Sequence, residues 1–101
     1  MFEHSINEDV EDVWSHRSEQ FRHERRQLIE IASDYPPKMT VKQTYHFMSE
    51  IFGYSRTTFY KHHKEYFDPF LDYPYSGARA KIIKRSRVID VVHAIIRDER
   101  R

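Results

Sequence analysis

Three observations predict a mainly α fold, namely a winged helix-turn-helix with a small β-hairpin wing and an extra N-terminal helix. Residues 40–66, TVKQTYHFMSEIFGYSRTTFYKHHKEY, read as two short helices joined by a tight turn that contains glycine. A basic, aromatic stretch from Phe70 to Lys84 follows with the pattern of two short strands around a turn. Ahead of both lies an acidic segment that contains neither Gly nor Pro until Pro36, so a helix can run through it without a break.

In chain order, Ser5 or Asn7 can cap the first helix, and Glu8, Asp9, Glu11 and Asp12 in its first turns complement the positive end of the helix dipole. Trp14, Phe21 and Leu28 recur at seven-residue spacing, with Val10 and Ile31 in the companion position of the same register. That register also places Arg17 and Glu24 in the seam, which a coiled coil disfavours. Two uses of this helix stand open: packing along its own domain, or dimerisation with Arg17 and Glu24 paired across the interface. Asp34-Tyr35-Pro36-Pro37-Lys38 then forces an extended connection. The chain divides there into an acidic N-terminal helix, residues 1–34, and a second unit, residues 38–101.

Thr40 caps a helix over Val41–Ile51, whose inward face is read from Val41, Tyr45, Met48 and Phe52. Phe52 and Gly53 end it, with Gly53 free to take the left-handed conformation. Ser55 starts the second helix, residues 56–66, where Phe59, His62 or His63, and Tyr66 are expected to face inward. Ser55, Arg56, Thr57, Tyr60 and Lys61 then point outward, as a recognition helix presents side chains to a major groove. Arg56 suits bidentate contact with guanine, Thr57 a base edge or a thymine methyl, and Lys64 a phosphate.

Phe67-Asp68-Pro69 ends that helix. Phe70–Tyr73 and Ala80–Lys84 are expected to pair across a turn at Tyr75-Ser76-Gly77-Ala78, with Pro74 restricting the hairpin to a short edge. Arg79, Lys81, Lys84, Arg85 and Arg87 give its tip and return arm dense positive charge suited to DNA phosphates. Ser86 caps a last helix, residues 87–97, with Val88, Val91, Val92, Ile95 and Ile96 on one face. Residues 97–101 read as a frayed end.

Composition sets bounds around this reading. The 101 residues suit one modest core, filled by seven Phe, seven Tyr and one Trp. The absence of cysteine removes a disulfide framework and thiolate chemistry. No membrane span or targeting leader is legible, so a soluble, cytoplasmic location (the host cell's, if the chain is viral) is expected. Net charge is +1, but residues 1–34 hold nine acidic and four basic side chains, net −5, and residues 35–101 hold thirteen basic and seven acidic, net +6. A polyanion-binding unit with an appendage of different purpose fits that division. Seven histidines raise the question of metal, but adjacent His62 and His63 point about 100° apart on a helix, and His46 lies on the other helix. A zinc site needs ligands that converge, so neither metal nor any other cofactor is expected. No Gly-rich phosphate loop, cysteine nucleophile or activated acidic pair is present, so the chain is not expected to be an enzyme.

On IFGYSRTTFYKHH and GARAKIIKRSRVIDVVHAI, residues 39–97 resemble the winged-helix domains of the MerR and phage excisionase group. The IFG-x-S-x-T segment is also similar to the DNA-binding domains of phage terminase small subunits. The resemblance implies that Arg56, Thr57, Tyr60 and Lys61 face the major groove, with Arg79, Lys81 and Arg85 in the wing. It also implies a sequence-specific double-stranded DNA-binding protein of a phage or mobile element, acting in transcription regulation, excision or packaging. Residues 8–33 would mediate homodimerisation or partner binding. The alternative is a protein-interaction module that docks through its acidic N-terminal helix. Steep salt dependence of DNA binding separates the two.

Overall fold

The computed structural model describes residues 19–99; the expected caps Ser5 and Asn7, the register positions Val10, Trp14 and Arg17, and Arg100–Arg101 lie outside them. The described chain is mainly helical. Helix α1 covers residues 19–32 and ends in the turn at Ser33, whose N–H donates to the carbonyl of Ile29 at 3.0 Å. Strand β1, Lys38–Thr40, leads directly into helix α2, Val41–Phe52. Helix α3 spans 56–67 and is not uniform: an α turn at Arg56–Thr58, a π turn at Phe59–His63 and an α turn at Lys64–Phe67. A 3₁₀ turn, Asp68–Phe70, strand β2, Ile82–Lys84, and helix α4, Arg85–Glu99, complete it.

Local chemistry sets the central boundaries. Thr40 and Gln43 form a reciprocal capping box: the Thr40 hydroxyl accepts from the Gln43 N–H at 3.2 Å, and the Gln43 side chain accepts from the Thr40 N–H at 2.9 Å. Gly53 closes α2 at φ 66°, its N–H donating to the Ser49 carbonyl at 2.8 Å. A Cβ built there would meet nothing within 4 Å, so the positive φ, not crowding, favours glycine at this turn. Ser55 caps α3 through the Thr58 N–H at 3.3 Å.

The sheet departs from the expected hairpin. Strand β2 pairs antiparallel with β1, in the register Lys38↔Lys84, Met39↔Ile83 and Thr40↔Ile82. The arm expected over Phe70–Tyr73 contributes a single bridge, Asp72↔Ile82, because Pro69 favours the 3₁₀ turn that consumes Phe70. The turn at residues 75–78 forms as expected: the Ala78 N–H donates to the Tyr75 carbonyl at 3.1 Å and Gly77 takes φ 87°. Helix α4 begins at Arg85, two residues earlier than expected, so Ser86 lies inside its first turn instead of capping it. The Arg85 N–H finds its acceptor in the Pro37 carbonyl at 2.8 Å.

The core gathers side chains from every layer: Leu28 and Ala32 of α1, Met39 and Ile83 of the sheet, Phe47 and Met48 of α2, Phe59 and Phe67 of α3, and Val88, Val92 and Ile95 of α4. On α2 the deepest positions are Thr44, Phe47 and Met48, with Val41, Tyr45 and Phe52 at the flanks. On α3 the expected inward residue Tyr66 is 49% exposed, and Phe67 is buried in its place. The π turn explains this exchange. Seven residues make about two α turns, which would bring position 66 above Phe59. The Lys64 N–H instead reaches back five residues to the Phe59 carbonyl, which adds one residue to the turn and moves the inward position to 67.

Helix α1 packs on α4 through a polar contact inside an apolar seam. Glu24 is 8% exposed and His93 2%. The Glu24 carboxylate lies 3.1 Å from His93 Nε2 and 3.6 Å from Arg97 Nη1. Phe21 stacks on the His93 ring with centroids 4.2 Å apart, and the Arg97 guanidinium lies over the Phe21 ring, 4.9 Å from its centre. Arg25 and Asp90 add an exposed ion pair between the same helices. Residues 19–32 therefore pack along their own domain, and Arg97, expected in a frayed end, is helical and engaged.

Candidate nucleic-acid interface

The turn between α2 and α3 fixes where α3 begins. The Ser49 hydroxyl donates to the Tyr54 carbonyl at 3.2 Å, and the Phe59 N–H closes the first turn on the Ser55 carbonyl at 3.1 Å. Tyr54 also meets His63 on the next turn of α3, hydroxyl to Nδ1, at 3.0 Å. With Phe59 and Phe67 directed into the core, the opposite side of α3 faces outward.

Four of the expected residues come together there. Arg56, Thr57, Tyr60 and Lys61 line one shallow, open depression. Their positions, i, i+1, i+4 and i+5, place them on one side across successive turns. The Arg56 guanidinium carbon lies over the Tyr60 ring, 5.4 Å from its centre, a cation–π contact that consumes none of its N–H donors. Ser55 is part of the same start of helix, but its hydroxyl is occupied by the cap and by Thr58 Oγ1 at 3.2 Å.

Lys64 lies further along and pairs with Asp68 at 2.6 Å, one turn away. Such a surface pair contributes roughly 0–1 kcal/mol, so a phosphate can displace it at little cost. Arg79 and Lys81 are exposed in the loop between Asp72 and β2, and Lys81 sits 5.4 Å from the centre of the Tyr73 ring. Arg87 lies over Phe70 at 4.8 Å. Lys84 and Arg87 line a second groove together with Phe70, Tyr73 and Lys38.

Lys38 was not singled out by the sequence. It faces Lys84 in the β ladder, and like charges directly opposite one another destabilise a sheet unless something anionic lies between them. The only sequence signal for Lys38 is its place beside apolar Met39 at a strand start; the pairing that gives it meaning spans the whole intervening helical unit. Arg85 differs from the other expected cations. Its Nη1 donates to the Tyr35 carbonyl at 2.6 Å, so it ties α4 to the Tyr35-Pro36-Pro37 connection. Tyr35 itself donates from its hydroxyl to Glu50 at 2.6 Å and packs edge-on against Phe47. Burial first, and then the Glu50 hydrogen bond, push the Tyr35 pKa up, so the phenol remains a neutral donor.

Among the described residues no three His, Asp or Glu side chains gather as a metal site, and no helix is long and apolar enough to cross a membrane. Comparison with protein-family models, with curated proteins and with solved structures gives no match to this chain. The functional reading therefore rests on its own residues.

Proposed function

We propose that this chain is a sequence-specific double-stranded DNA-binding protein built as a winged helix-turn-helix. Helix α3 enters the major groove, and the loop between Asp72 and Ile82 serves as the wing. The observation that carries the reading is the shared depression lined by Arg56, Thr57, Tyr60 and Lys61 on the outward side of α3. An arginine edge, a small hydroxyl and methyl, and a lysine together match the donor and apolar groups that read base edges. The exposed cations Arg79, Lys81, Lys84 and Arg87, with Lys38 added from the sheet, match the second requirement, a grip on phosphates that carries no sequence information. Ser55 sets the start of the reading helix, Arg85 holds the wing's exit to the body of the domain, and Lys64 is a secondary phosphate contact.

In biological terms the reading is a transcription regulator or an excisionase-like factor of a phage or mobile element. Homodimerisation or partner binding through residues 8–33 belongs to the same proposal: Phe21 and Ile29 remain 39% and 49% exposed on α1. The competing idea of a protein-docking module is left with a narrower face on residues 19–32, since Leu28 and Ala32 pack inward and Glu24 pairs with His93.

Arg56→Ala and Lys84→Ala test the division of labour. With a preferred site selected from a random duplex pool, Arg56→Ala is expected to lose about 1–3 kcal/mol of discrimination at one base pair. Lys84→Ala is expected to weaken all duplexes about equally and to reduce the salt slope by about one. Equal, sequence-independent losses from both substitutions would remove α3 as the reading element.

A further inference from the structure

The Arg56 side chain is long, and a free arginine at a groove can contact a phosphate as readily as a base. What distinguishes this one is the ring beneath it. We propose that Tyr60 is a positioning residue that holds the Arg56 guanidinium for guanine, so that the base specificity of the site depends on the Arg56–Tyr60 pair; this rests on the DNA-binding reading above.

A cation–π contact holds the guanidinium without using its hydrogen-bond donors. The Arg56 Cζ lies over the Tyr60 ring, 5.4 Å from its centre. The five N–H donors lie in the guanidinium plane and stay available to the O6 and N7 acceptors of guanine. The platform is itself anchored. Tyr60 meets Phe59 edge-on, with centroids 5.3 Å apart and planes at 89°, and Phe59 is fully buried. Phe59 in turn packs against Phe67 and Tyr45, at 6.0 and 5.8 Å. The chain of contacts therefore runs from the core, through one ring at the start of the π turn, to the reading arginine. Restraining a side chain with several rotatable bonds before binding lowers the entropy lost on contact, and a planar fork held in one orientation favours a planar two-acceptor edge over a phosphate.

For a positioning role the hydroxyl of Tyr60 is dispensable and its ring is not; for a direct DNA contact the hydroxyl matters. Tyr60→Phe, Tyr60→Leu and Tyr60→Gln are compared on the duplex selected by the unaltered protein and on the same duplex with its Arg56-dependent guanine replaced by adenine. Tyr60→Phe should keep the ratio of the two affinities within about twofold of the unaltered protein. Tyr60→Leu and Tyr60→Gln should each lower that ratio by about two- to thirtyfold. Melting midpoints close to that of the unaltered protein establish that the variants are folded, and two chemically different replacements guard against one failing to fold. Retained discrimination in Tyr60→Leu, or equal loss in Tyr60→Phe and Tyr60→Leu, overturns the proposal; the second result would make the hydroxyl itself the contact. Absence of salt-sensitive DNA binding by the unaltered protein is a separate failure, of the DNA-binding reading.

Discussion

Phe67→Ala is expected to lower the free energy of unfolding by about 3–5 kcal/mol, whereas Tyr66→Ala, one position earlier, is expected to cost less than about 1 kcal/mol. The contrast follows from the π turn. Phe67 is 1% exposed and packs on Phe59 with ring centroids 6.0 Å apart, while Tyr66 is 49% exposed. Truncating a buried ring loses its transfer free energy and leaves a cavity that close-packed neighbours fill only in part. An uninterrupted α-helix from Phe59 would place position 66 inward and reverse the order of the two variants. For a domain of this size each 1 kcal/mol shifts the melting midpoint by roughly 4–8 °C, so thermal unfolding by circular dichroism separates the outcomes readily. The same experiment tests the positioning of the site, because the π turn that moves the inward residue to 67 also carries Tyr60.

The second large effect is expected at the junction of α1 and α4. Glu24→Ala should destabilise the protein by about 1–3 kcal/mol, because it leaves the buried His93 Nε2–H without its acceptor. Removing one partner of a fully buried ion pair costs more, but here Arg97, 44% exposed at its side chain, returns to water. Glu24→Gln keeps a carbonyl oxygen where His93 needs one and is expected to lose well under half as much. Denaturant titration of the three proteins decides this. Equal losses from Ala and Gln would mean that the carboxylate charge, not the hydrogen bond to His93, holds α1 in place.

The features legible in the sequence were those specified by neighbours a few positions apart. Thr40 as a cap, Gly53 as a left-handed terminator and Ser55 as the start of α3 each depend on a short segment, and the structure has them all. The shared depression of Arg56, Thr57, Tyr60 and Lys61 was legible for the same reason, since helical periodicity alone places those positions on one side. What escaped depends on distant partners or on departures from regular geometry. The pairing of Lys38 with Lys84 is decided by burial of Met39 and Ile83 on the other face of the sheet, across the whole intervening helical unit. The π turn replaces Tyr66 by Phe67 without a local signal, both residues being aromatic. Glu24 looked misplaced in an apolar seam because its partner, His93, lies at the other end of the chain. Ser86 looked like a cap because the passage of β2 directly into α4 could not be read from the residues around it.

The central claim is that the basic surface binds duplex DNA through α3 and the wing. Fluorescence anisotropy of a labelled random duplex, titrated with the protein between about 50 and 200 mM salt, tests it most directly. If Lys38, Lys64, Arg79, Lys81, Lys84 and Arg87 contact phosphates, six counterions are released and the log–log slope of affinity against salt is about −5, a loss of roughly a thousandfold over that range. A flat dependence, or no binding at the lowest salt, would contradict the claim and leave the positive charge of residues 35–101 as a solvated surface.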